Sequence, residues 1–117
     1  MSSNPSIHLD LSQHPELWAD NTEYNFGNGL YGQKFTGSVS STTSRQYKTL
    51  LTNVASIIKY GGSWKAGDSD LMFQWNDEVG NMFLLFRNEN GLQFAYKSQT
   101  ATTYTYNIWV LYTKSTS

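Results

Sequence analysis

Thr103-Tyr104-Thr105-Tyr106-Asn107-Ile108-Trp109-Val110-Leu111-Tyr112-Thr113 is the stretch whose reading decides the fold. Side chains alternate across a strand. Tyr104, Tyr106, Ile108, Val110 and Tyr112 therefore share one face, and Thr103, Thr105, Asn107, Trp109, Leu111 and Thr113 share the other. The first face is an uninterrupted apolar row, as the core side of a sheet requires. The second is polar until Trp109 and Leu111, which predicts that this end is covered as well, with a symmetry mate as the expected cover.

The same rhythm recurs upstream. Leu92, Phe94 and Tyr96 oppose Gln93, Ala95 and Lys97, and Asn88-Glu89-Asn90-Gly91 before them reads as a hairpin turn. Met82 to Arg87 is apolar on both faces, as in a strand covered on both sides. Leu30 to Ser40 sets Tyr31, Phe35 and Val39 against Lys34, Thr36 and Ser38, and it follows Thr22 to Phe26 through the turn Gly27-Asn28-Gly29. Gln46 to Leu51 and Val54 to Tyr60 read as strands, although Tyr47, Leu50, Leu51 and Val54 also fit helical spacing; Gly61-Gly62-Ser63 is expected to end that run. Leu71 to Trp75 alternates weakly before a turn at Asn76 to Asn81. About seven or eight short strands separated by Gly and Asn describe a sandwich or a barrel. Met1 to Asn21 differs, holding both prolines and both histidines, and reads as an arm with one short helical turn capped by Ser12, with Pro15 near its start. Ile7, Leu9, Leu11, Leu17 and Trp18 would pack it onto the body or onto a neighbouring subunit.

The 117 residues amount to one domain, an arm over 1–21 and a β body over 22–117. Four Trp, eight Tyr and six Phe with only 15% charged residues exclude a disordered chain and favour sheet. The formal net charge of −1 offers nothing to neutralise a phosphate backbone, so nucleic acid is not an expected partner. The charges do fall in blocks: acids alone up to Gln33, bases alone from Lys34 to Lys65, then Asp68, Asp70, Asp77 and Glu78. Such blocks either pair strands or copies or form an ordinary solvated surface. The absence of cysteine excludes disulfides, zinc-thiolate sites and cysteine nucleophiles. Neither a membrane-spanning apolar run nor a signal-like N-terminus is present.

Catalytic chemistry is not expected. A serine triad needs a histidine base, and His8 and His14 both lie in the arm, where they also make a poor metal pair. Asp68, Asp70, Asp77 and Glu78 are the residue type a glycosidase or a calcium site would use, but the spacing fits no calcium loop and solvated loop carboxylates are the ordinary reading. Trp64 and Trp75 flank the cluster. An exposed ring beside carboxylates suits a sugar, which makes Trp64, Asp68, Asp70, Trp75 and Asp77 the candidate ligand surface. Core packing competes with this for both rings, and more so for Trp75, beside Phe73. Trp109, Leu111, Leu17 and Trp18 are the candidate subunit-interface residues. No cofactor and no metal is expected.

Two stretches carry a resemblance: Asp20-Asn21-Thr22-Glu23-Tyr24-Asn25-Phe26-Gly27-Asn28-Gly29-Leu30-Tyr31-Gly32-Gln33-Lys34-Phe35-Thr36-Gly37, and Asn107-Ile108-Trp109-Val110-Leu111-Tyr112-Thr113-Lys114. Together they resemble the terminal β-sandwich domains of tail-fibre and baseplate proteins from phages of Gram-positive bacteria. The resemblance implies an antiparallel, jelly-roll-like β-sandwich that works without catalysis, forms a homotrimer, and either contacts cell-wall saccharide on the host or meets other phage tail proteins. It also implies location in the virion after synthesis in the bacterial cytoplasm. A chain that starts at Met1 without a long fibrous stem is expected to be a small separate tail protein or an excised domain. The alternative is a stand-alone carbohydrate-binding module unrelated to phage.

Overall fold

A computed structural model describes residues 10–66, 69–71, 75–76 and 81–115. They form an antiparallel β-sandwich of β1 (Glu23–Gly27), β2 (Leu30–Ser41), β3 (Gln46–Leu51), β4 (Val54–Ala66), β5 (Ser69–Leu71), β6 (Trp75–Asn76), β7 (Met82–Asn88), β8 (Gly91–Lys97) and β9 (Thr102–Lys114). One sheet has the order β1-β2-β9-β4-β5 and the other β3-β8-β7-β6. Early strands pair with late ones, β2 with β9 and β3 with β8, which gives the jelly-roll-like nesting; the far end closes with the pairs β4·β5 and β6·β7. Seven of the strands have five residues or more, within the expected seven or eight, and the other two, β5 and β6, have three and two residues. The segment with helical spacing, Gln46 to Tyr60, is extended throughout its regular part because both strands find long partners, β3 on β8 and β4 on β9.

The core lies between the sheets and is aromatic. From β9 it takes the predicted face, Tyr104, Tyr106, Ile108, Val110 and Tyr112, and from the second sheet Phe83, Leu85, Leu92 and Phe94. Trp64 stacks on Phe83 at 4.6 Å between ring centroids, Phe83 stacks on Phe94 at 4.6 Å, and Tyr104 meets Trp64 edge-on at 4.7 Å. Each such pair adds about 0.5–1.5 kcal/mol to the burial of its area. Trp64 is 1% exposed, which removes it from the ligand surface proposed above. The reason is that β4 does not stop at Gly61-Gly62 but continues to Ala66, so Trp64 falls opposite Tyr106 with its ring turned inward. The glycines serve the strand instead of ending it. Gly62 has φ of +122°, and a Cβ there would lie 2.1 Å from the Asn107 carbonyl oxygen.

The arm forms a third layer on the outer face of the first sheet. It contains two 3₁₀ turns, Leu11–Gln13 and Pro15–Leu17. The cap of the first is Asp10 and not Ser12, because the Asp10 carboxylate accepts from both the Ser12 backbone N–H (3.1 Å) and its hydroxyl (2.6 Å). Trp18 is 2% exposed: its indole N–H donates to the Leu11 carbonyl at 2.6 Å, and its ring packs on Tyr24 and Phe26 and meets Trp109 at 6.2 Å and 85°. The ring fits because β2 has glycine beneath it; a Cβ on Gly32 would lie 2.6 Å from the Trp18 ring. The chain's own arm therefore covers part of Trp109, through Trp18, and Leu111 is buried within the chain itself. Trp18 and Leu111 are buried within one chain and present no surface to a second, while Leu17, next to Trp18, is 50% exposed.

Replacing Trp18 by alanine should remove this layer. The expected loss is about 3–5 kcal/mol of unfolding free energy in urea, with a red shift of Trp109 fluorescence as its ring meets water; an unchanged denaturation midpoint would show that the arm does not hold the sheet.

Candidate binding surfaces

With Trp64 in the core, the proposed ligand patch loses its central ring. Asp68 and Asp77 lie outside the described residues, as do the side chains of Asp70 and Trp75; the backbone of Asp70 pairs with Lys65 and that of Trp75 with Phe83. His8 lies outside them too, and His14 contacts Glu16 through Nδ1 at 2.9 Å. Among the described residues no group of three potential metal-ligating side chains comes together.

The register of β2, β9 and β4 brings together a different set. On the outer face of the first sheet, residues align in rows across the three strands: Lys34, Trp109 and Gly61; then Thr36, Asn107 and Ser63; then Ser38, Thr105 and Lys65. Neighbours within a row stand about 4.8 Å apart and alternate rows about 6.7 Å apart. Two clefts lie over these rows, one of about 500 Å³ along the hydroxyl and amide rows and one of about 410 Å³ between Trp109, Lys34 and the arm residues Pro15 and Glu16. Both are lined by Ser63 and Asn107, so they run into one another. The Trp109 ring lies against Gly61, where a Cβ would meet it at 2.6 Å, and it remains partly exposed at the junction of cleft and arm. The outer parity of β2 and β9 is readable in the sequence. The part of β4 beyond Gly62 is not, because Gly61-Gly62-Ser63 has the composition of a strand end and the residues after it are paired by the distant β9.

The outer face of the second sheet is less polar. Met82 and Ala95 form a buried floor, and Tyr47 and Phe86 stand over it edge to face at 6.1 Å, beside Leu84 and Arg45. The hollow they line measures about 610 Å³.

The residues that carry the family resemblance serve the fold. The two stretches are hydrogen-bonded neighbours, with β2 and β9 in register from Leu30↔Thr113 to Ser41↔Thr102. Gly32 admits Trp18, and Gly37 admits the Tyr106 hydroxyl, which a Cβ would approach to 2.7 Å. Lys34 lies 3.6 Å from Asp20, and Asn21 holds Thr36 through both its backbone N–H (3.0 Å) and its hydroxyl (3.2 Å). At the other end Lys114 donates to Glu23 at 2.8 Å and lies 4.3 Å from the centre of the Tyr31 ring, while the Tyr112 hydroxyl donates to the second oxygen of Glu23. Partial burial pushes the Glu23 carboxyl upward, but the hydrogen bonds from Lys114 and Tyr112 outweigh it, and the net shift is below the ordinary glutamate value. Burial, and then the bond to Glu23, push the Tyr112 hydroxyl far above the usual phenol range. Comparison with known protein families, with curated proteins and with solved structures returned no match.

A carboxyl whose folded value is depressed stabilises the protein above its unfolded pKa, and that stability disappears as pH falls through the lowered folded value. Glu23→Gln should therefore flatten the acid limb of the stability profile and leave a smaller change between wild type and variant at low pH than at neutral pH. Urea denaturation from neutral pH to below the ordinary glutamate range measures it; parallel curves for the two proteins would show that Glu23 is not part of that limb.

Proposed function

We propose that the chain is a non-enzymatic tail or fibre module of a bacteriophage that works in host attachment or tail assembly, and that it holds cell-wall saccharide in the cleft over β2, β9 and β4. The observation that carries the ligand reading is the set of cross-strand rows: hydroxyls of Ser38, Ser63 and Thr105, the amide of Asn107 and the cation of Lys65 on one rigid sheet, with a partly exposed indole at one end. Saccharides need this combination, a polar lattice for hydroxyls and a ring for a C–H face. A site on strands also holds its geometry better than one on loops. Glu16 is the one carboxylate lining the clefts among the described residues, whereas glycoside hydrolysis ordinarily uses two, which supports binding without cleavage. The tail assignment rests on the resemblance.

The test is a glycan array that includes wall saccharides of Gram-positive bacteria, followed by titration of the best binder. Asn107→Ala and Thr105→Val should each weaken binding by roughly two- to tenfold, as loss of about 0.5–1.5 kcal/mol per hydrogen bond predicts. Undiminished binding in the double variant would rule out this cleft, and no retained saccharide would leave assembly as the module's role.

A further inference from the structure

Among the large apolar side chains exposed in the described residues, Leu17 and Tyr47 lie on opposite sides of the molecule. Leu17 ends the second 3₁₀ turn of the arm, on the outside of the layer that covers the first sheet, and is 50% exposed. Glu16 and Asp20 flank it in sequence with side chains 65% and 62% exposed, Glu16 in contact with His14 and Asp20 with Lys34. Tyr47, 56% exposed, stands at the edge of the hollow on the second sheet. That hollow has a floor of Met82 and Ala95 and apolar walls of Leu84 and Phe86, and Asn88, Gln93 and Arg45 complete its lining with polar groups. Lys97 has the outward parity of Gln93 and Ala95, and no acid lines the hollow among the described residues. One side of the protein thus presents an apolar knob, the Leu17 side chain, flanked in sequence by two exposed carboxylates, and the other a hollow that is lined by Arg45 and has Lys97 opposite Met82 of its floor.

We infer that the hollow on the second sheet receives Leu17 from a second copy of this chain, with Glu16 and Asp20 of one copy facing Arg45 and Lys97 of the next. Burial of Leu17 and of the Tyr47 and Phe86 rings supplies the attraction, and the opposed charges set the orientation. The contact is head to tail. Knob and hollow face away from each other, so two copies related by a simple two-fold cannot satisfy both at once, and each added copy offers a fresh knob or a fresh hollow until a ring closes. This contact does not depend on the saccharide reading, because the hollow lies on the sheet opposite the cleft.

Light scattering on the full chain across a range of concentrations tests it. Wild type should have a mass that is a multiple of the single chain, and Leu17→Asp and Tyr47→Asp should each reduce it to one chain. Both side chains are exposed, so the variants should keep the wild-type circular dichroism, which confirms that they fold. A mixture of the two is the decisive sample: each variant keeps one intact face, so the pair should form a one-to-one heterodimer that grows no further. Arg45→Glu should also dissociate the wild-type assembly, and Glu16→Arg in the same chain should restore it. A wild type that stays monomeric, variants that keep the wild-type mass, or a mixture that stays monomeric would each overturn the inference; in the first case the hollow belongs to a different partner.

Discussion

The Trp109 indole lies across Gly61 and meets the edge of Trp18, on the reverse side of a strand whose other face gives Tyr104, Tyr106, Ile108, Val110 and Tyr112 to the core. A strand loaded with large rings on both sides can sit in the middle of a sheet only if its neighbours give way. Here they do so through glycine: Gly61 and Gly62 in β4, Gly32 and Gly37 in β2, each at a place where a Cβ would collide with an aromatic ring or with the β9 backbone. Glycine weakens a strand because it has no side chain to pack and loses more backbone entropy on folding. The rings that move into the vacated space offset this loss, and they also recruit the arm. Two packed layers thus become three in a chain that has no disulfide to hold the arm in place.

This dependence explains what the sequence disclosed and what it concealed. The parity of β9 is legible because one of its faces is apolar at five successive alternate positions, Tyr104 to Tyr112, and the sandwich follows once several such runs are counted. Gly61-Gly62 misled for a physical reason. Adjacent glycines ordinarily mark a turn, and their use as clearance for Trp109 and for the Asn107 carbonyl appears only when β4 lies beside β9. Trp64 is thereby placed in the core instead of on the candidate ligand surface. The same long-range pairing concealed the cleft, whose rows combine residues 27 to 75 positions apart along the chain. Trp109 does not announce its cover either, because the arm reaches it through a single residue, Trp18.

The charge blocks resolve along similar lines. Acids of the first block meet bases beyond it, Asp20 with Lys34 and Glu23 with Lys114, so the sequence segregation is partly a record of which strands become neighbours. Exposed pairs of this kind add little stability individually. The Glu23 cluster differs because its carboxylate takes two donors and ties β1 to the end of β9, where Tyr31 also stacks near Tyr112.

Outer faces not consumed by these requirements are where function has room to act. On the first sheet, the polar rows and the arm meet at Glu16, which lines the smaller cleft, and the next residue is Leu17. Under the head-to-tail contact, a neighbouring copy seated on Leu17 stands beside the cleft mouth, with its Arg45 facing Glu16. Saccharide affinity and oligomeric state would be linked in that case, since any ligand that touches both copies stabilises their contact by the amount the contact improves its binding.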